Sequence, residues 1–352
     1  MRLFAITTLA LSFLVGPLAA EPSYERVNQA LADAVILPAY ERYADGMADL
    51  APSIEALCVD PGEGTLAVAR EAFARAMAGW QHAQPVAFGP VAEEGRTARI
   101  QFWPDKHGSA GRQLNKALAA EDPALIENGV ADKSVALQSF ASLERLLFGE
   151  PAGPSAYGCK LAEAIADFQN DLALTILADW KDEGGFHKSF TEAEGGNDLF
   201  YDAKEAHTAL FKAINVNLDV IITQKLERPL GKQPDSAKRK RAESWRSGGS
   251  LDNIIANLET IEALYTAEGG LQVWLPAAGF DALDVTLRDV IEQALLEARD
   301  IDQPLAEAVG DAEGRPAVES LLSTVKRLRT LFGTTLADAA DITIGFNASD
   351  GD

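Results

Sequence analysis

The chain holds 352 residues, with 53 acidic side chains against 31 basic ones and a formal net charge of −22. A field of that sign repels nucleic acid and anionic membrane surfaces, and it suits a cationic ligand, metal ions included. Two cysteines and four histidines argue against a tight site for a soft metal.

Met1-Arg2, the apolar run 3–16 and the small residues Ala19-Ala20 read as a secretory signal cleaved near Ala20. The run is shorter than the roughly 20 apolar residues a membrane span needs, and no later stretch approaches one. No cysteine near the cleavage position offers a lipid anchor. The chain is therefore expected to be exported, without a membrane span, from Glu21 onward. The 352 residues less this segment of 20 leave 332, enough for one large domain or two of medium size.

Apolar residues recur at helical spacing and sustained strand alternation is absent, so an all-α fold is expected. A first helix is expected over 24–58, with Tyr40, Tyr43, Met47, Leu50 and Ile54 on one stripe and a kink at Pro38. Pro61-Gly62 ends it, and a second helix covers 66–82. Residues 85–108 read as a long irregular loop, followed by a short helix around 113–120. Asp132 or Ser134 caps a helix that ends at Gly149. The Gly- and Pro-rich stretch 149–158 is the candidate linker. Beyond it a long helix over 160–181 precedes a Gly-rich loop at 183–197. Further helices are expected near 201–227, 236–246, 250–266, 280–299 and 313–339. The last carries Val318, Leu321, Val325, Leu328, Phe332 and Leu336 on one face. Two packed four-helix-bundle-like halves, 21–150 and 155–352, are the simplest architecture.

Cys58 and Cys159 are an even pair in a chain expected to be exported, which favours a disulfide over two unrelated buried thiols. Such a bridge would close a loop of about 100 residues and contribute up to roughly 4–5 kcal/mol in a chain-entropy account.

Glu144 has Phe140, Ala141, Leu147 and Phe148 one turn away on either side, so its carboxylate is expected to be at least partly buried and compensated. The compensation is either a metal or other cation, or an internal salt bridge to Arg96, Arg99 or Arg112. In the irregular loop, Arg96, Arg99, Trp103, Asp105, Lys106 and His107 lie within twelve residues. Arg beside Trp suits a flat or anionic ligand, and the other reading is a structural loop filling the gap between bundles. Farther on, Trp245-Arg246-Ser247 precedes a Gly-Gly turn, and Asn253, Asn257 and Thr260 form a polar stripe beside the apolar face of the 250–266 helix. Buried Asn must be hydrogen-bonded, so that stripe faces solvent, a partner helix or a ligand. The basic run Lys238–Arg241 reads as a solvated face. His82 and His107 flank the loop, but no HExxH, HxxE or HxxxH spacing occurs. No nucleophile elbow, P-loop or dinucleotide fingerprint occurs either.

Trp80 with FGPV at 88–91, RIQFWPDK at 99–106 and SVALQSFASLERLLFG at 134–149 resemble the imelysin-like family, classed by name as M75 peptidases. So do ESWRSGGSLDNIIANLETIEALY at 243–265 and the terminal GFNASDGD at 345–352. The resemblance is greatest to an iron-regulated, periplasmic subgroup. It implies two four-helix bundles with a functional cleft at their interface, and a role in bacterial iron uptake or metal homeostasis. The GxHxxE motif of many members falls on Ser139, Ala141 and Glu144, so its His position is alanine here. A zinc peptidase needs about three protein ligands, and this motif supplies one. Peptidase activity is therefore not expected. The resemblance implies a ligand site with Glu144 at its floor, Trp80, Arg99, Trp103 and Asp105 from the first half, and Arg246, Ser247, Asn253 and Asn257 from the second. Its ligand would be iron or another hard cation held at Glu144, or an anionic chelate, with an envelope iron-uptake protein as a possible partner. A metallopeptidase with an unrecognised site and a purely structural scaffold are the alternatives.

Overall fold

The computed structural model describes residues 22–150 and 153–343. The expected signal segment and the terminal GFNASDGD motif lie outside them. The described residues are helical and contain no strand, as expected.

Helix α1 (Tyr24–Leu31) starts where Ser23 Oγ accepts the Arg26 N–H. It runs through a widened turn, Ala32–Ile36, into α2 (Leu37–Val59). Pro38 follows that turn within a continuous helical path, so its missing N–H leaves a carbonyl of the preceding turn without a helical donor. The irregularity expected at Pro38 thus falls in the turn before it, as a π-type bulge. Helix α3 (Glu63–Ala83) opens at Gly62, whose N–H donates to Thr65 Oγ1. It packs along α2 at backbone contact: a Cβ on Gly46 would lie 2.8 Å from Ala76 Cα, and one on Gly79 2.8 Å from the Arg42 carbonyl oxygen.

The irregular segment is a chain of short turns, Gln84–Val86, Gly89–Gly95 and Arg96–Ile100, leading to α4 (Ser109–Ala120). Helix α5 (Phe140–Phe148) carries Glu144, and α6 (Ala156–Lys181) follows. Gln169 of α6 fixes the loop from behind. Its Nε2 donates to the carbonyls of Arg99 (2.7 Å) and Gln138 (2.8 Å), and its Oε1 lies 3.3 Å from the Tyr43 hydroxyl. Cys58 and Cys159 form the expected disulfide, with Cα atoms 5.4 Å apart.

That bridge joins the end of α2 to the start of α6, and α6 packs along α2. Helix α6 thus joins α2, α3 and α5 in a first group of helices, and residues 151–152 of the expected linker 149–158 lie outside the described residues. The second group is α7 (Ala203–Val220), extended by a π-type turn Ile221–Glu227, with α8 (Ser250–Thr266), α9 (Asp281–Arg299) and α10 (Gly314–Thr330). Helix α8 packs on α3 as well as on α9, which makes it the seam between groups. The expected stripe of α10 and its continuation, from Val318 to Leu336, is buried.

The helix expected over 236–246 does not form. Only short turns, Pro234–Ser236 and Arg239–Arg241, interrupt an irregular path. The sequence AKRKRAESWR has helix formers but no apolar stripe, so nothing in its packing rewards a helix. Ser244 adopts a left-handed backbone (φ 47°), and Glu243 is 1% exposed.

Two predictions follow from this packing. Gly79→Ala puts a methyl group into the α2 backbone and should lower stability by about 1–3 kcal/mol in urea unfolding, while Gly64→Ala, in open space, should not. His207 is buried between α1 and the Leu271–Ala277 turns, with Nδ1 2.6 Å from Asn28 Oδ1 and Nε2 accepting from Trp274 Nε1 at 3.2 Å. Burial lowers its pKa to about 3. It stays neutral when folded and takes up a proton near pH 6.5 when unfolded. Its share of the stability should be complete above pH 6.5 and be lost as pH falls toward 3, at about 1.4 kcal/mol per pH unit. Unfolding midpoints from pH 7 to pH 4 should therefore fall less steeply for His207→Gln.

Candidate functional site at the junction of the helix groups

Lys225 lies on the π-type turn after α7 and is 1% exposed. Its Nζ is 3.0 Å from Glu243 Oε2 and donates to Gln81 Oε1 (2.7 Å), Asn257 Oδ1 (2.6 Å) and Gln84 Oε1 (3.0 Å). Burial pushes the ammonium down from the ordinary lysine range, and the facing Glu243 opposes that. Glu243 is satisfied in turn: Oε1 accepts from Gln101 Nε2 (3.0 Å) and Oε2 from Asn253 Nδ2 (2.8 Å). Trp80 Nε1 donates to Gln101 Oε1 at 2.7 Å, and Asn257 Nδ2 to the Gln81 carbonyl at 2.6 Å. This network joins α3, the loop residue Gln101, α8, the π-type turn and the irregular 242–249 segment.

In front of it, between the groups, opens a cleft of about 240 Å³. Phe102, Trp103, Asp105, Lys106, Ala141, Glu144 and Arg145 line it from the first group. Arg228, Lys240, Arg241, Ser244, Trp245 and Arg246 line it from the second. Glu144 is buried, as expected, but it pairs with none of Arg96, Arg99 and Arg112. Its Oε1 accepts the N–H groups of Arg246 (3.0 Å) and Ser247 (3.1 Å) and the Ser247 hydroxyl (3.1 Å). Its Oε2 lies 4.0 Å from Arg246 Nη1. Arg96 pairs with Asp179 at 2.6 Å, and Arg112 turns back to the His107 carbonyl. Asp105 is committed in the same way, accepting the N–H groups of Ser109 (2.8 Å), Ala110 (2.9 Å) and His107 (3.3 Å) at the start of α4. Burial raises its pKa, but these three hydrogen bonds outweigh it and hold the carboxylate below its usual range.

The cleft thus brings together Trp103, Asp105, Glu144 and Arg246 of the expected set, with Ser247 held against Glu144. Trp80, Asn253 and Asn257, expected as ligand contacts, stand in the closed network instead, because a buried indole or amide takes whatever partner lies in reach. Arg99 donates to the Ala131 carbonyl at 3.2 Å and does not line the cleft. Neither does His82, whose pKa is lowered to about 4 by burial and Arg42, against Glu259. Lys240 and Arg241, read as part of a solvated face, line the cleft's outer wall. Lys225 and Glu243 carried no signal, since neither sits in a motif. The basic run in so acidic a chain was the available clue to the cleft.

Among the described residues no three His, Cys, Asp or Glu side chains converge to hold a metal. The metal that the M75 name implies does not fit these donors: Ala141 offers none, and Glu144, with Oε1 accepting three hydrogen bonds, has only Oε2 to give where about three protein ligands are needed.

Residues 36–332 match the family model for imelysin, peptidase M75. The chain belongs to the imelysin family. It is 24% identical over 233 residues to the iron-regulated protein A of Synechococcus elongatus. That match spans 65% of this chain and about 60% of the length of the curated relative. An imelysin-like protein from Psychrobacter arcticum shares the fold with a TM-score of 0.78 at 19% identity, over 94% of this chain and all of that one. A Parabacteroides distasonis protein described as an iron-regulated protein A precursor has a TM-score of 0.75 at 15% identity, over 90% and 96%. At these identities the likeness of the two structures is one of fold.

The network generates a sharp stability test. Lys225→Met strands the Glu243 carboxylate in the interior and should cost about 3–5 kcal/mol. Lys225→Met/Glu243→Gln should recover most of that loss in the same denaturant unfolding series, since the double variant buries no charge.

Proposed function

We propose that this imelysin is an exported, periplasmic protein of iron or metal handling that binds its ligand in the cleft between the helix groups and cleaves no peptide. The observation that carries the reading is the convergence there of Trp103, Asp105 and Glu144 from one group with Trp245 and Arg246 from the other. The name of the Synechococcus relative supports the link to iron. The alanine at position 141 and the committed Glu144 carboxylate support a binding role over metal-assisted hydrolysis. An envelope iron-uptake protein is the partner this role calls for.

The test is titration calorimetry on the protein from Glu21 onward with ferric iron, ferrous iron, zinc and ferric citrate, with Trp103→Ala alongside and a peptide-cleavage assay with and without chelator. Binding of an iron species, weakened at least about tenfold in the variant, and no chelator-sensitive cleavage are expected. Binding of no iron species, or cleavage that a chelator stops, overturns the proposal.

A further inference from the structure

We propose that the cleft is built for a small polyanion, a ligand offering two or more carboxylate or phosphate groups, and not for a bare metal cation. The inference rests on the cleft being the ligand site and names the chemistry of its ligand.

The cleft carries six cationic side chains, Lys106, Arg145, Arg228, Lys240, Arg241 and Arg246, against two carboxylates, Asp105 and Glu144. This excess of four positive charges sits in a chain whose formal charge is −22. With 53 acidic side chains available, a merely structural cluster of cations would find carboxylate partners. Among the described residues, five of the six form no salt bridge, and the sixth, Arg246, has only the 4.0 Å contact with Glu144. The two carboxylates offset part of this charge, Asp105 facing Arg228 and Arg145 and Glu144 facing Arg246, while their oxygens bond to backbone N–H groups at the start of α4 and at Arg246 and Ser247.

The aromatic walls organise the cations. The Arg246 guanidinium lies 4.2 Å from the Trp245 ring centroid, and Lys240 Nζ lies 5.4 Å from the same ring. One indole ring thereby holds two cations at the rim of one cavity. Like charges gathered this way repel. Burial first, and then Arg145 near Arg246 and Arg241 near Arg228, lowers both guanidinium pKa values from the ordinary range, against the opposing pull of Glu144 on Arg246 and Asp105 on Arg228. An anion relieves both costs by supplying hydrogen-bond acceptors and opposite charge, and arginine forks suit carboxylate and phosphate groups in particular. A lone cation would meet net repulsion and, from Glu144, a single oxygen, Oε2, that already faces Arg246. At about 240 Å³ the cavity takes a small molecule.

The experiment is titration calorimetry on the protein from Glu21 onward with citrate, ferric citrate, pyrophosphate and zinc ion, each at low and high salt. Lys240→Gln/Arg241→Gln, two exposed positions that leave folding intact, is run beside Arg246→Ala, with circular dichroism as the folding control. Binding of at least one of the three anions is expected. It should weaken at least about tenfold in each variant and fall with salt, with no zinc binding at the cleft. Equal binding of citrate and ferric citrate would support the polyanion and count against the link to iron. Ferric citrate alone among the anions would support both. Zinc binding that is lost in Glu144→Gln, with all three anions inert, would overturn the polyanion while leaving a cleft ligand in place. No binding by any probe to folded protein would overturn both.

Discussion

The Lys225–Glu243 pair is the constraint on which the junction depends. Both groups are 1% exposed, so each must find its full set of partners inside the protein or cost several kcal/mol. Lys225 Nζ has acceptors on α3 and α8 as well as Glu243, and Glu243 accepts from Gln101 and Asn253. No single helix supplies that set. The network closes only when α3, α8, the loop at 101 and the turn after α7 are docked together, so the pair specifies how the helix groups meet rather than simply adding stability. An apolar seam of similar area would tolerate sliding; this one does not, because any shift leaves a charge without a partner.

The cleft inherits its geometry from that network. Glu243 is held from behind by Gln101 and Asn253, and Ser250 Oγ donates to its carbonyl. The next residue, Ser244, turns through a left-handed backbone, with its side chain against Asn253. Two and three positions later, the N–H groups of Arg246 and Ser247 meet the Glu144 carboxylate from the opposite group. Glu144 thus acts as a cap on an irregular turn, and what it fixes is the place of Trp245 and Arg246 at the rim. On the other side, Gln169 clamps the Arg99 carbonyl and Asp105 clamps the start of α4, so Trp103 is carried between two fixed points.

Much of the fold was legible because long helices announce themselves through period and breakers. Pro61-Gly62 ends one helix, Ser134 caps a short turn ahead of α5, and the Val318–Leu336 stripe is one continuous face. The burial of Glu144 could be read from Phe140 and Leu147, and the need of Asn253 and Asn257 for partners from their place beside an apolar face. What each of them bonds to could not. The partner of Glu144 is backbone 102 residues away, and that of Asn257 is a lysine on a turn with no motif. The 236–246 segment was misread for the converse reason. Local propensity favoured a helix, while the satisfaction of Glu243 and Glu144 demanded an irregular path. The grouping of α6 with the first half was likewise hidden, because Gly and Pro at 149–158 mark a turn and say nothing of which helices meet beyond it.

Position 141 shows how one side chain sets the character of a site. Where the family's motif places His one turn before the Glu, this chain has Ala141, whose carbonyl accepts from Arg145 Nη1 at 2.8 Å. An imidazole there would stand beside Glu144 as a second donor to a metal. Alanine leaves instead a guanidinium one turn on, across from Arg246 and with no carboxylate of its own. Glu144 Oε1 holds the Arg246 and Ser247 N–H groups, and with them the turn that carries Trp245, which leaves Oε2 facing Arg246 Nη1 at 4.0 Å. In this chain Oε1 is committed to the rim, so one carboxylate oxygen is all that position 144 has left for a cation where the family's motif pairs Glu with His.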